Sequence, residues 1–187
     1  MTEPTTASYC HAVRAGKLDP MHTLYHDTEY GFPLLEDHLL FERLVLEINQ
    51  AGLSWSTILK KKDHFRVAFD GFDLPTVAAY TAEDVERLMK DAGIIRNRLK
   101  IEATIENARR ILVLQQEHGS FRAWLDHHHP RSKAEWVRLF KGTFRFTGGE
   151  IVGEFLMSTG YLPGAHHPDC PVYGKVLELS PPWTAGL

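Results

Sequence analysis

Cysteine is scarce in this chain of 187 residues: there are two, Cys10 and Cys170, 160 positions apart. That excludes a disulfide framework, and 43% hydrophobic content at this length buries a core without one. No run of 18 apolar residues and no charged-then-apolar leader is present, so the expectation is a soluble cytoplasmic protein with no membrane partner. Strands that alternate apolar and polar residues are missing, as is any internal repeat. The expected class is therefore all-α.

Net charge is small too, −3, but its sign is unevenly spread. Residues 1 to 40 carry two basic against six acidic groups, −4; residues 60 to 66 carry four against one, +3; residues 90 to 110 six against three, +3; and residues 131 to 149 five against one, +4. An acidic lobe and three basic clusters fit a protein that touches a polyanion with one face. Any single cluster reads equally well as a solvated helix face.

Met1 to Ser8 is a polar stretch expected to be a flexible tail, leaving 9–187 as a single domain of two packed helical lobes. Pro20, Gly31 and Pro33 break the next segment into short helical turns. Helices are then expected over 36–51, over 54–69 with Ser54 as N-cap, and over 81–91, where Thr81 and Asp84 approximate a capping box. Further helices are expected over 97–117, ended by Gly119, and over 119–127, 132–141 and 148–160. The Pro- and Gly-rich tail after Tyr161 cannot form a long helix.

The stretch LEINQAGLSW, Leu46 to Trp55, breaks local rules. At period 3.6, Leu40, Leu44, Ile48 and Ala51 share a face, and Glu47 falls beside Leu40 and Ala51 at the edge of the core. It also sits in the last turn before Gly52, where exposed carbonyls disfavour an anion. A half-buried carboxylate costs several kcal/mol unless paired. Either Arg43 or a backbone N–H satisfies it, or the site is functional.

Asp91 to Lys100, DAGIIRNRLK, reads as a tight turn between helices, with Gly93 in the left-handed region followed by Ile94 and Ile95. Such a turn offers free N–H groups to a phosphate, with Arg96, Arg98 and Lys100 in support. His166 and Cys170 have the H-x3-C spacing that puts both on one face of a helical turn. With Cys10 and His26 they could complete an N2S2 tetrahedron for zinc. His167 and His11 leave the choice of ligand open. His127, His128 and His129, beside Pro130, read as a solvated helix end.

Four blocks in order carry a resemblance over roughly residues 9 to 172: the early Cys10, DPMHTLYHDTEYGFP, LEINQAGLSWSTILKKKDHFRVAFDGFD and EDVERLMKDAGIIRNRLKI, followed by KGTFRFTGG and the H-x3-C pair. The chain resembles the bacterial DNA-3-methyladenine glycosylase I family. This implies an all-α fold of the helix–hairpin–helix glycosylase superfamily. It also implies one structural zinc that joins the chain ends through Cys10, His26, His166 and Cys170. The partner is alkylated double-stranded DNA, with no obligate protein partner, in a nucleoid-associated cytoplasmic enzyme. A cationic 3-methyladenine is already a good leaving group, so flipping and selecting it matter most. Trp55, Tyr25 and Tyr30 would hold the cationic ring, Glu47 would be the catalytic carboxylate, and Gly93, Ile94, Arg96 and Arg98 would meet DNA. No lysine matches a nucleophile, so the implied enzyme is monofunctional.

The chain departs from the family pattern at Ala12 and Tyr30, where Trp is usual, at Ile48, where Gly is usual, and at Gly153–Glu154, where Tyr-Ser is usual. The loss of bulk at Ala12 and Gly153 predicts a roomier or re-shaped site, able to take a bulkier alkyl adduct. A non-catalytic, zinc-stapled DNA-binding module is a rival reading that leaves Glu47 unexplained. A zinc hydrolase is another, and it needs an open coordination position.

Overall fold

A computed structural model describes residues 9–185, and the expected tail over residues 1–8 lies outside them. Among the described residues there are helices and turns and no strand. None of the helices is long and apolar enough to cross a membrane. They are α1 (Tyr9–Arg14), α2 (Pro20–Thr28), α3 (Asp37–Gln50), α4 (Trp55–Ala68), α5 (Leu74–Ala78), α6 (Ala82–Lys90), α7 (Arg98–His118), α8 (Phe121–His128), α9 (Lys133–Thr143), α10 (Gly149–Ser158) and α11 (Pro171–Glu178). Short 3-10 turns occupy Asp70–Phe72 and Pro182–Thr184.

Local chemistry places most of the boundaries. Ser54 accepts a hydrogen bond from the Thr57 N–H and starts α4. Thr81 with Asp84, and Ser132 with Glu135, each close a full capping box at the head of α6 and α9. Gly119, at φ 89°, ends α7. Two short helices were not expected. The Asp73 carboxylate accepts from the Thr76 N–H at 3.0 Å, and with Pro75 in the first turn it starts α5. Pro171 opens α11 directly after Cys170.

Two compact units divide the chain: Leu34–Phe155 forms one, and the chain ends up to Pro33 and from Leu156 form the other. In the central unit, α3 runs buried all round from Leu40 to Asn49, and the long α7 packs against α3, α5, α6 and α8. Rings fill the core on both sides: Phe41, Phe65, Phe69 and Phe72 in one cluster, Phe121, Trp124, Phe140, Phe144 and Phe155 in another. Asp37, in the first turn of α3, accepts from the Phe121 and Arg122 N–H groups at 2.7 and 3.0 Å and so anchors the head of α8.

The unit of the chain ends is held by backbone as well as side chains. Gly31 N–H donates to Ser158 O at 2.9 Å, and Trp183 N–H to Gly160 O at 3.1 Å. Gly31 sits at φ 82°, and a Cβ there would come within 2.8 Å of the Ala165 Cβ, so no other residue fits.

Candidate active site and metal centre

Glu47 lies in the last full turn of α3 and is 3% exposed, well inside the core where the helical period had placed it at the edge. The reason is that α3 has no solvent face at this point, so period alone understates burial. Burial pushes the Glu47 carboxyl up to about 8; the nearby Arg43 charge opposes that shift, and the Glu154 carboxylate adds to it. At neutral pH this acid is mostly protonated. Glu154 projects from α10 and is half-buried. Two carboxyl groups from two helices of the central unit are therefore close enough for the charge of one to bear on the other. The sequence marked Glu154 only as a departure.

Next to it, Gly153 does not leave a void. A Cβ at Gly153 would lie 2.7 Å from Lys133 Cε, because the Lys133 stem occupies that space on its way to Glu150, 3.4 Å from its ammonium. The space beside Gly153 is thus taken up by the end of an exposed lysine side chain. Trp55 opens α4 and is half-buried.

Lys100 also departs from expectation. In place of facing a phosphate it is buried, and its ammonium donates to Asn49 O at 3.0 Å and Ala51 O at 2.8 Å. It thereby supplies the positive charge that the exposed carbonyls ending α3 call for. Burial lowers its pKa. Position 100 lies on the same helical stripe as the buried Ala103, Thr104 and Asn107, which is the signal that could have revealed this role.

The segment between α6 and α7 holds another correction. Gly93 is not in the left-handed region. It is glycine because a Cβ would meet Asp91 Oδ1 at 2.9 Å and the His64 ring at 3.0 Å. Its N–H is not free either, since it donates to Asp91 Oδ1 at 2.7 Å. Ile94 is buried and anchors the loop, and Lys61 ties it to α4 by donating to Ala92 O at 2.6 Å. Arg96 and Arg98 are both exposed, and Arg98 pairs with Glu86 at 2.5 Å.

In the unit of the chain ends, Cys10, His26, His166 and Cys170 are all buried, with ligand atoms within 4.8 Å of one another. Cys10 Sγ is 3.7 Å from His166 Nδ1, and Cys170 Sγ is 3.6 Å from His26 Nε2 and 3.9 Å from His166 Nδ1. A tetrahedron with metal–sulfur and metal–nitrogen bonds of about 2.3 and 2.1 Å has sulfur–nitrogen edges of roughly 3.6 Å, so the four atoms fit a divalent ion. The far nitrogens are held as metal-bound imidazoles usually are: His26 Nδ1 by Asp27 at 2.6 Å, and His166 Nε2 by the Tyr30 carbonyl at 2.6 Å. His167 is exposed beside Asp169, whereas His166 is buried with the other three candidate ligands. The H-x3-C pair spans a turn that ends at the N-cap of α11, where a helical turn was expected.

Tyr25 and Tyr30 belong to this same unit. Their rings lie 5.7 Å apart, and Tyr30 also contacts Tyr9 edge-on at 5.5 Å. Tyr25 is 3% exposed.

Comparison with known proteins places this arrangement. The methyladenine glycosylase family model matches residues 15–138. DNA-3-methyladenine glycosylase 1 of Escherichia coli (strain K12) is 52% identical over 103 residues, a stretch spanning 55% of each chain. The DNA-3-methyladenine glycosylase of Haemophilus influenzae (strain Rd) is 37% identical over 166 residues, covering 79% of this chain and 89% of that protein. Among solved structures, 3-methyladenine DNA glycosylase I of Staphylococcus aureus, studied for its recognition of 3-methyladenine, superposes with a TM-score of 0.77 at 35% identity. The match covers 84% of this chain and 94% of that one. Another structure of 3-methyladenine DNA glycosylase I gives 0.74 at 36% identity. These likenesses define the class, an all-helical DNA glycosylase. The chain belongs to the methyladenine glycosylase family.

Proposed function

We propose that this protein removes 3-methyladenine from double-stranded DNA by hydrolysing its N-glycosidic bond, leaving an abasic site and making no strand cut. The observation that carries the reading is Glu47: a buried carboxyl, held mostly protonated at pH 7, in a chain of the methyladenine glycosylase family. A 3-methylated adenine is cationic. Beside it the ionised form of Glu47 is favoured, so the acid releases its proton as the base arrives. The carboxylate then stabilises the positive charge that grows on the sugar as the bond between C1′ and the base breaks. The bonding pair neutralises the departing ring, and water adds to C1′ and gives up a proton. Trp55, Tyr25 and Tyr30 are the proposed aromatic contacts of the base.

DNA is proposed to meet the loop between α6 and α7 in helix–hairpin–helix fashion. The exposed Arg96 is the phosphate contact, Arg98 a further one once it leaves Glu86, and Gly93 and Ile94 hold the loop in shape. Zinc is the ion proposed for Cys10, His26, His166 and Cys170. Two thiolates and two imidazoles suit it, and with all four positions filled by protein it would be structural, joining the ends of the chain. This also disfavours the hydrolase reading, which needs an open position. A bulkier lesion would need the exposed Lys133 side chain to leave the space beside Gly153. The test is single-turnover release of methylated purines from alkylated duplex DNA. Release of 3-methyladenine supports the proposal; binding to DNA with no base release on any alkylated substrate supports the non-catalytic module and overturns it.

A further inference from the structure

The run His127–His129 does not stand alone as a helix end. His118, the last residue of α7, is brought back against it: the His118 ring centre lies 5.5 Å from that of His127 and 6.4 Å from that of His128, and His127 and His128 are 5.0 Å apart. Three imidazoles bound to one tetrahedral ion at about 2.0 to 2.1 Å have ring centres roughly 5 Å apart. Within this chain the His26 and His166 rings of the Cys2His2 site, 4.6 Å apart, give the same scale. We infer that His118, His127 and His128 form a second metal site, on the surface of the central unit, for a borderline divalent ion such as Ni2+ or Zn2+.

Several features favour a cation here. All three residues lie at the C-terminal ends of helices, where the backbone carries partial negative charge. Imidazole is the donor such ions prefer. The His118 and His128 ring centres, 6.4 Å apart, exceed the spacing of metal-bound rings, so binding requires the rings to rotate toward a common point. One group opposes the ion: the Arg131 guanidinium lies 3.2 Å from His128 Nδ1 and holds a lone pair the metal would use. Arg131 is exposed and can swing away. Arg122 and Asp126 pair with each other at 3.6 Å on the same helix. The ion would keep water on its remaining positions, since three side chains do not close the shell.

Trp124 supplies a reporter, its ring 5.1 Å from that of His128. Full-length protein with its Cys2His2 ion in place is titrated with Ni2+, an open-shell ion that quenches nearby indole emission. The expected result is saturable quenching that is lost in Trp124→Phe. In His118→Ala and in His127→Ala the apparent Kd should weaken by roughly tenfold or more as one imidazole donor goes. Arg131→Ala should bind Ni2+ more tightly than the parent, an outcome that a purely structural role for these side chains does not produce. Elemental analysis of the same samples, with the Cys2His2 ion unchanged, separates this site from the first. Absence of saturable quenching in the parent, or the same affinity in folded His118→Ala, overturns the inference.

Discussion

Glu47 is both a stability cost and the proposed source of activity, and the two separate in one variant. Its folded-state pKa of about 8 lies above the ordinary 4.5, so its contribution to stability is fully present below pH 4.5 and is lost as pH rises to about 8, by about 1.4 kcal/mol per unit. Glu47→Gln lacks this dependence. Denaturant unfolding should therefore show the variant gaining on the parent as pH rises from 5 to 8, and a difference that stays constant with pH would contradict the shift. Base release by the variant should fall by roughly 10- to 1,000-fold, since one charge-stabilising contact of about 1.4 to 4 kcal/mol is lost. An equally active Gln variant would make the carboxylate structural only. Because kcat/KM reports groups of the free enzyme, the parent's profile should rise with pH up to about 8. Burial is the main cause of the raised Glu47 value and the Glu154 charge adds less, so Glu154→Gln should move that limb a little to lower pH. A limb that stays in place in Glu154→Gln would mean the two acids do not interact.

At the scale of elements, the C-terminal end of α3 depends on a residue 50 positions away. Lys100→Met keeps the aliphatic stem but leaves the Asn49 and Ala51 carbonyls without their donor. A loss of roughly 2 to 4 kcal/mol is expected from urea unfolding, with little change in the salt dependence of DNA binding. Arg96→Ala should do the reverse, leaving stability alone and lowering the slope of log affinity against log salt by about 0.9. An unchanged slope would move the DNA to another surface. Most helices were legible because their caps are written locally, as at Ser54, Thr81 and Gly119. The course of α3 was legible too, but its burial on every side was not, since neighbours distant in sequence cover it. Gly93 could be singled out from the sequence, yet the reason for it is the His64 ring and the Asp91 carboxylate, which only the fold brings close. The short α5 was missed although its Asp and Pro signals were present, because five residues are too few to show a period.

For the whole molecule, the question is what keeps the two chain ends together. Cys10 and Cys170 lie 160 positions apart, and they share a small buried cluster with Val172 and Val176, with Phe32 and Tyr173 packed against it. Beyond that cluster the unit buries few large apolar side chains, Val13, Tyr25, Leu156 and Tyr161 among them, whereas Leu34–Phe155 has two aromatic clusters of its own. A bound ion couples its binding energy to folding, with apparent values of about 10 to 16 kcal/mol in small zinc domains, so the unit of the ends should depend on it far more than the central unit does. Purified protein is expected to contain close to one zinc in the Cys2His2 site, retained on dialysis against a weak chelator. Cys170→Ala should lose that zinc and melt at a lower temperature. In the metal-depleted protein, hydrogen exchange should quicken first in α1, α2 and α11 while α3 and α7 stay protected. Protein purified without zinc that melts as Cys170→Ala does, with α1 and α11 as slow to exchange as α7, would leave the four side chains as a buried polar cluster and remove the metal from the fold.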